Sequence, residues 1–320
     1  MFNNYEDFFT QTALLEAVAN TNYVPGQIGS SGLFETRALS GTKMALEAQP
    51  ANGGADLMTP TPRGTASKAA TLARRAVHTF ETAHYRVDGA VYADEVLNMR
   101  ASGANAVGEL ITTRRDETLA MLRRDVDLLL ENLRLNTLIT PDNAFGSKPA
   151  DVVVAFQTDA TKTRAELFTK VIKPIEDALG GIPFSSIDLY CSDGIWDDVI
   201  ENKGIKDTYL LSLQAQSIRG DGRDSFMWGG INFIRYRGAG TTDIPTEKAI
   251  AVPRGVPGLF LQGFAPADTI DSVGAGALGS PYYPQAYPID SGNRGWHIEM
   301  QTNPVMVCTR PAVIQTVAMA

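Results

Sequence analysis

Cysteine and histidine are scarce in this 320-residue chain: Cys191 and Cys308, with His78, His84 and His297, are all that it contains. No CxxC, HExxH or Cys/His cluster occurs, so no metal site is expected. Two lone thiols make no disulfide framework and suit a reducing, intracellular setting. The opening residues Met1-Phe2-Asn3-Asn4-Tyr5-Glu6-Asp7 lack the basic start and apolar core of a signal peptide. No apolar run approaches the roughly 20 residues that span a bilayer. Synthesis in the cytoplasm, away from any membrane, is therefore expected. A basic surplus is missing too. The net charge of −8 argues against a general nucleic-acid binder.

Catalytic signatures are equally absent. No GxSxG, GxxxxGK[ST] or HRD motif is present. Gly274-Ala275-Gly276-Ala277-Leu278-Gly279 spells GxGxxG, but Ala265-Pro266-Ala267-Asp268 precedes it and Ser280-Pro281 follows. A dinucleotide fingerprint needs a strand before and a helix after, so this stretch reads as a flexible loop. Asp197, Asp198 and Glu201 read as the solvated face of a short helix rather than an acid/base pair. His78 and His84 fall in a long extension, a poor place to hold catalytic geometry. Neither a cofactor nor an enzymatic activity is expected.

What is present is a folded chain. Hydrophobic residues make up 44% and charged residues 20%, enough for a sizeable core and two domains. Residues 5–19, with Phe8, Phe9, Leu14, Leu15 and Val18, predict a short amphipathic helix. Pro25, Gly26, Gly29 and Gly32 then break regular structure and suggest an extended arm. Residues 36–48 and 77–93 predict two strands flanking a tip rich in Pro and Gly. A lone ribbon is marginal in water, so this one needs a surface, and an adjacent copy of the chain offers one. Between Asp56 and His78 the cations Arg63, Lys68, Arg74 and Arg75 face the single acid Asp56, a local excess of +3.

From residue 105 to 138 the pattern turns helical, with Leu119, Leu122, Val126, Leu129 and Leu133 on one face. Such a helix is about 50 Å long, and Pro141 ends it. Strands are predicted at 151–156, 187–191, 226–236, 248–252, 258–264, 296–307 and 313–317. A second helix lies near 163–179, kinked by Pro174. A third begins after an N-cap Ser192 and turns Trp196, Val199 and Ile200 inward. Residues 280–288, with three prolines, predict irregular chain. Trp196, Trp228 and Trp296 read as core or interface anchors. Helices and strands without strict alternation give an α+β class.

The order of these features carries a resemblance. Gly229–Gly238 resembles a strand pair of the lambda-like phage major capsid proteins, the capsid protein E family. Ile244-Pro245, Ala251-Val252-Pro253 and Phe264-Ala265-Pro266-Ala267-Asp268 resemble its central signature. Glu299–Met306 with Arg310-Pro311 resembles its terminal strand, and Arg114–Glu117 resembles charged residues of its long helix. The resemblance spans nearly the whole chain. It implies the HK97 capsid fold: an N-terminal arm (1–34), an E-loop ribbon with flanking strands (35–93), and a peripheral domain with a spine helix (94–150). An axial domain (151–268), peripheral return strands (269–311) and a last axial strand (312–320) complete it.

The resemblance further implies pentamers and hexamers tiling an icosahedral virion shell around double-stranded DNA, contacted without sequence specificity. Scaffolding protein, portal and decoration protein are the implied partners, with assembly in the bacterial cytoplasm. An encapsulin-type nanocompartment is the alternative within the same fold. Subunit-interface candidates are Lys43, Arg63, Lys68, Arg74 and Arg75 on the ribbon, with Asp193, Asp197, Asp198 and Glu201 as acids for a neighbour's cations. Some members of the wider fold crosslink a ribbon lysine to a neighbour's asparagine. Lys43 and Lys68 are the lysines available here, and no acidic helper is marked by the sequence.

Overall fold

The long apolar stripe after residue 105 becomes the longest element, and the rest of the chain is arranged along it. The computed structural model describes residues 6–19, 26–48, 76–98, 106–157, 162–210, 225–238, 242–274, 278–290 and 294–319. In chain order these give α1 (Gln11–Ala19), α2 (Gln27–Ser31), β1 (Glu35–Ala38), β2 (Lys43–Glu47), β3 (Val77–Glu81), β4 (Tyr85–Tyr92), α3 (Ala93–Asn98) and α4 (Ala106–Ile139). Then come β5 (Val152–Val154), α5 (Thr163–Leu167), α6 (Lys173–Leu179), β6 (Ser186–Cys191), α7 (Asp193–Glu201) and α8 (Lys203–Leu210). Seven strands follow: β7 (Phe226–Trp228), β8 (Ile231–Arg235), β9 (Lys248–Arg254), β10 (Phe260–Phe264), β11 (Tyr283–Pro288), β12 (Gly295–Thr302) and β13 (Pro304–Cys308). The last strand is β14 (Gln315–Met319).

Mixed pairing makes the fold α+β. The largest sheet has the order β5-β14-β9-β6-β8-β7, with β6 parallel to β8 and antiparallel to β9. Its centre is buried on both faces, where Leu189, Ala249, Ala251 and Val252 are fully covered and the buried carboxylate of Asp188 accepts from Asn232 and faces Arg254. Gly229 and Gly230, with φ of 62° and 89°, supply the left-handed pair that a two-residue β7–β8 turn requires. The helix before β6 changes character at Phe168–Ile172, a π-turn that ends just ahead of Pro174. Proline has no N–H to return to the preceding turn, so the ladder widens there.

A second sheet, β11-β12-β4, lies under the first half of α4. A Cβ built on Gly89 of β4 would stand 2.8 Å from Thr118 Cγ2, so glycine lets the helix seat on the strand. A third sheet, β1-β10-β13, carries the β2–β3 ribbon on its outside. Helix α4 serves two cores in turn. Leu119, Leu122, Val126 and Leu130 pack with Ile298 and Met300, whereas Leu135 and Leu138 join the core of the six-stranded sheet.

Several expectations are corrected here. The stripe on α4 passes through Leu130, Leu135 and Leu138, not Leu129 and Leu133, because its buried face turns as it moves between cores. Residues 36–48 and 77–93 are each two strands, broken at Ser40–Thr42 and Thr82–His84. Only β2 and β3 pair with each other, while β1 joins β10 and β4 joins β12. The stretch 280–288 is neither helix nor central strand, as its prolines require, but it is more regular than expected: β11 is an edge strand paired in register with β12. The strand foreseen over 296–307 breaks at Asn303, whose amide donates to Pro266 O at 2.7 Å. Residues 27–31 are helical rather than extended. Ser192 has the extended backbone of a cap but makes no side-chain capping bond.

Cys191 and Cys308 are free and buried. Burial raises both thiols above their ordinary range, Cys308 to about 12. Among the described residues no helix is long and apolar enough to cross a membrane.

Candidate subunit interface

Alternation decides which side of the ribbon touches protein. In β2 the burial pattern buries Met44 and Leu46 and exposes Lys43, Ala45 and Glu47. Met44 and Leu46 sit on Leu261 and Val307 of the third sheet. Phe145, just past the end of α4, fixes the partner strand: its ring centroid lies 4.9 Å from His78 and 5.6 Å from Phe80. The neighbour-borne ribbon that the sequence suggests is thus corrected at its foot, which rests on its own chain through a small apolar core. An open hollow of about 470 Å³ lies beside this foot, between Ser40–Thr42, Thr82 and Pro266–Ser272.

The outward face carries Lys43, whose Nζ is 2.9 Å from Glu81 Oε1 across the β2–β3 pair. The hydrogen bond to Glu81 raises the Lys43 ammonium above its ordinary pKa and lowers the Glu81 carboxyl. A crosslink through Lys43 would have to break this pair, which directs the ammonium at its own chain. Denaturing electrophoresis of particles carrying Lys68→Arg, which leaves Lys43 as the only ribbon lysine, should therefore show a single band near 34.5 kDa; a ladder of multimers would refute this.

The acids lie on α7, beside β6 of the six-stranded sheet. Asp193 accepts from Arg235 Nε at 2.7 Å, and this bond holds its carboxyl below the usual range. Glu201 is held by Lys206. Asp197 is exposed, and Asp198 is half-buried with one carboxylate oxygen lacking a hydrogen bond. Two of the four acids are thus engaged within their own chain. Arg63, Lys68, Arg74 and Arg75 lie outside the described residues. The structure brings none of the four acids to Lys43, whose partner is Glu81.

Sequence reasoning missed the exposed apolar side chains. Val153 and Phe168 sit near one edge of the six-stranded sheet and Met227 on the other, each at least half exposed. Ile270 and Val273 project on a short helix at 91% and 84% exposure. Periodicity cannot flag them, because an apolar residue in a strand or short helix is read as core until the fold shows nothing covering it. Among the described residues, no group of three or more His, Cys, Asp or Glu side chains is placed to hold a metal ion.

Solved structures share this architecture. A putative capsid protein of a prophage of E. coli CFT073 gives a TM-score of 0.55 at 13% identity, covering 97% of this chain and 99% of that one. A chain of the bacteriophage PhiM1 mature capsid gives 0.53 at 10% identity, covering 90% and 85%. A chain of the satellite phage P4 procapsid gives 0.53 at 11%, covering 97% and 91%. At such identities the likeness is one of fold, and the fold is of the HK97 type. No curated protein matches the sequence. The model of the family described as phage major capsid protein E, however, matches residues 10–319. A match over nearly the whole length shows that the chain belongs to the phage major capsid protein E family, and its role is that of a structural component of the virion shell.

Proposed function

We propose that the chain assembles as pentamers and hexamers into an icosahedral head that encloses double-stranded DNA, and that it catalyses no reaction. The observation that carries this reading is the family match over residues 10–319. Residues 1–34 act as the arm, 35–93 as the E-loop, 94–150 and 269–311 as the peripheral domain, and 151–268 with 312–320 as the axial domain. Assembly takes place in the host cytoplasm with scaffolding protein and portal, and a decoration protein joins the finished shell. The acidic balance of −8 fits a wall that encloses DNA without gripping it. The family match favours this reading over an encapsulin shell.

The test is expression with and without the scaffolding protein, followed by gel filtration and negative-stain microscopy. A megadalton species of regular closed shells is expected. A 34.5 kDa monomer in both cases would overturn the proposal.

Within the shell, the ribbon cations Arg63, Lys68, Arg74 and Arg75 pair with a neighbour's acids, of which Asp197 and Asp198 are the two on α7 without an ion pair among the described residues. Reversing Arg74 and Arg75 together to Glu should reduce particle yield sharply, since like charges then face each other across a repeated contact. Wild-type yield from the double variant would dismiss this pairing.

A further inference from the structure

A five-residue helix has no stability of its own in water. Residues 25–32 hold Pro25, Gly26, Gly29 and Gly32, a composition that favours extended chain. Yet Gln27–Ser31 is helical, and the reason lies 103 residues away. Glu131 of α4, only 2% exposed, accepts Ile28 N–H at 2.8 Å and Gly29 N–H at 2.9 Å. Those are two of the N–H groups that a helix start leaves without partners.

The carboxylate is itself held in place. Tyr236 donates its hydroxyl at 3.3 Å, and Arg134 lies 3.6 Å away. Arg237 N–H donates to Gln27 Oε1 at 3.0 Å, tying the same segment to the end of β8. The approach depends on a missing side chain. Gly26 has a φ of 156°, and a Cβ built there would stand 2.6 Å from Glu131 Oε2. Glu131 also occupies the point where α4 passes from one core to the other, between Leu130 and Leu135.

We propose that Glu131 is a latch: its carboxylate keeps residues 26–32 folded against α4, and breaking it returns that segment to the extended arm its sequence favours. The segment is then a two-state element: Ile28, seated in the core of the six-stranded sheet, and Arg254, which donates to Ser31 O, also hold it, and loss of the carboxylate tips it while the sheets on either side stay intact. This inference concerns the subunit itself and stands apart from the proposed DNA-filled head.

Hydrogen exchange read by mass spectrometry on the full chain tests it, with Glu131→Gln and Gly26→Ala as variants. The glutamine offers one acceptor oxygen and turns an NH2 toward an amide N–H, so both bonds cannot survive. The added methyl at residue 26 displaces an unaltered carboxylate. Amides of residues 26–32 should exchange at least about tenfold faster in both variants, with β6 and β9 as protected as in the parent. Tyr236→Phe removes one support but not the acceptor and should leave 26–32 protected. Unchanged exchange at 26–32 in both variants overturns the latch. So does loss of protection in β6 and β9 in both, which would make Glu131 a prop for the whole core. Should Glu131→Gln alone unfold the chain, Gly26→Ala decides between these outcomes.

Discussion

Replacing Met44 with aspartate should abolish particle formation while the six-stranded sheet remains folded. Met44 is 3% exposed and lies under the ribbon against Leu261 and Val307. A carboxyl group placed there without a partner costs several kcal/mol whether it stays charged or takes up a proton. The ribbon has little to oppose that cost. Its described part is one pair of five-residue strands, and an isolated pair is marginal in water. The cheapest escape is to lift β2 and β3 away from the third sheet, which frees the ribbon's direction. Met44 takes no part in the core of the six-stranded sheet, so that sheet has no reason to melt. Microscopy of the variant expressed with scaffolding protein should show no closed shells, whereas Met44→Leu, which conserves volume, should assemble normally. Regular particles from Met44→Asp would mean that the docked foot is dispensable.

Trp196→Ala should cost about 3–5 kcal/mol of stability, the range for deleting a buried aromatic side chain. Trp196 is 1% exposed on α7, and its ring lies 5.6 Å from that of Phe226 on β7. It therefore fills the space between a helix and the edge of the sheet. Trp228 and Trp296 remain as fluorescent reporters, so the denaturant midpoint can be followed in the variant. A loss below about 1 kcal/mol would show that the site relaxes, contrary to the dense packing of the surrounding core.

The outline of the fold was legible where a pattern repeats. The apolar spacing after residue 105 located α4 to within a residue at each end. Pro174 marked the disturbance in the helix before β6, whereas the single strand predicted over 226–236 is in fact two, β7 and β8, turned back on each other at Gly229 and Gly230. What stayed hidden was set by distant partners. Nothing near residues 27–31 announces a helix, because its acceptor is Glu131. The two halves of residues 36–48 look alike in sequence and part only because Leu261 and Val307 form a platform for one of them. The interface was the least legible of all. Asp193 and Glu201 look available in sequence, yet Arg235 and Lys206 already hold them. Conversely, the exposed Ile270 and Val273 are indistinguishable in sequence from core residues.

The six-stranded sheet has one further consequence, for the order of events during synthesis. β14 lies inside it, between β5 and β9, although it follows every other strand in the chain. Val317 pairs with Val152, 165 positions earlier. Until Gln315–Met319 leave the ribosome, β5 and β9 are each left with an unsatisfied edge facing an empty slot. The sheet is therefore sealed only in copies translated through Met319. Contacts so far apart in sequence form slowly, so closing this slot is a late step in folding. A copy cut short before Gln315 keeps that slot, with the backbone of β5 and β9 unpaired along it. In a container built from many identical parts, only a copy finished through its last strand offers a closed sheet to its neighbours.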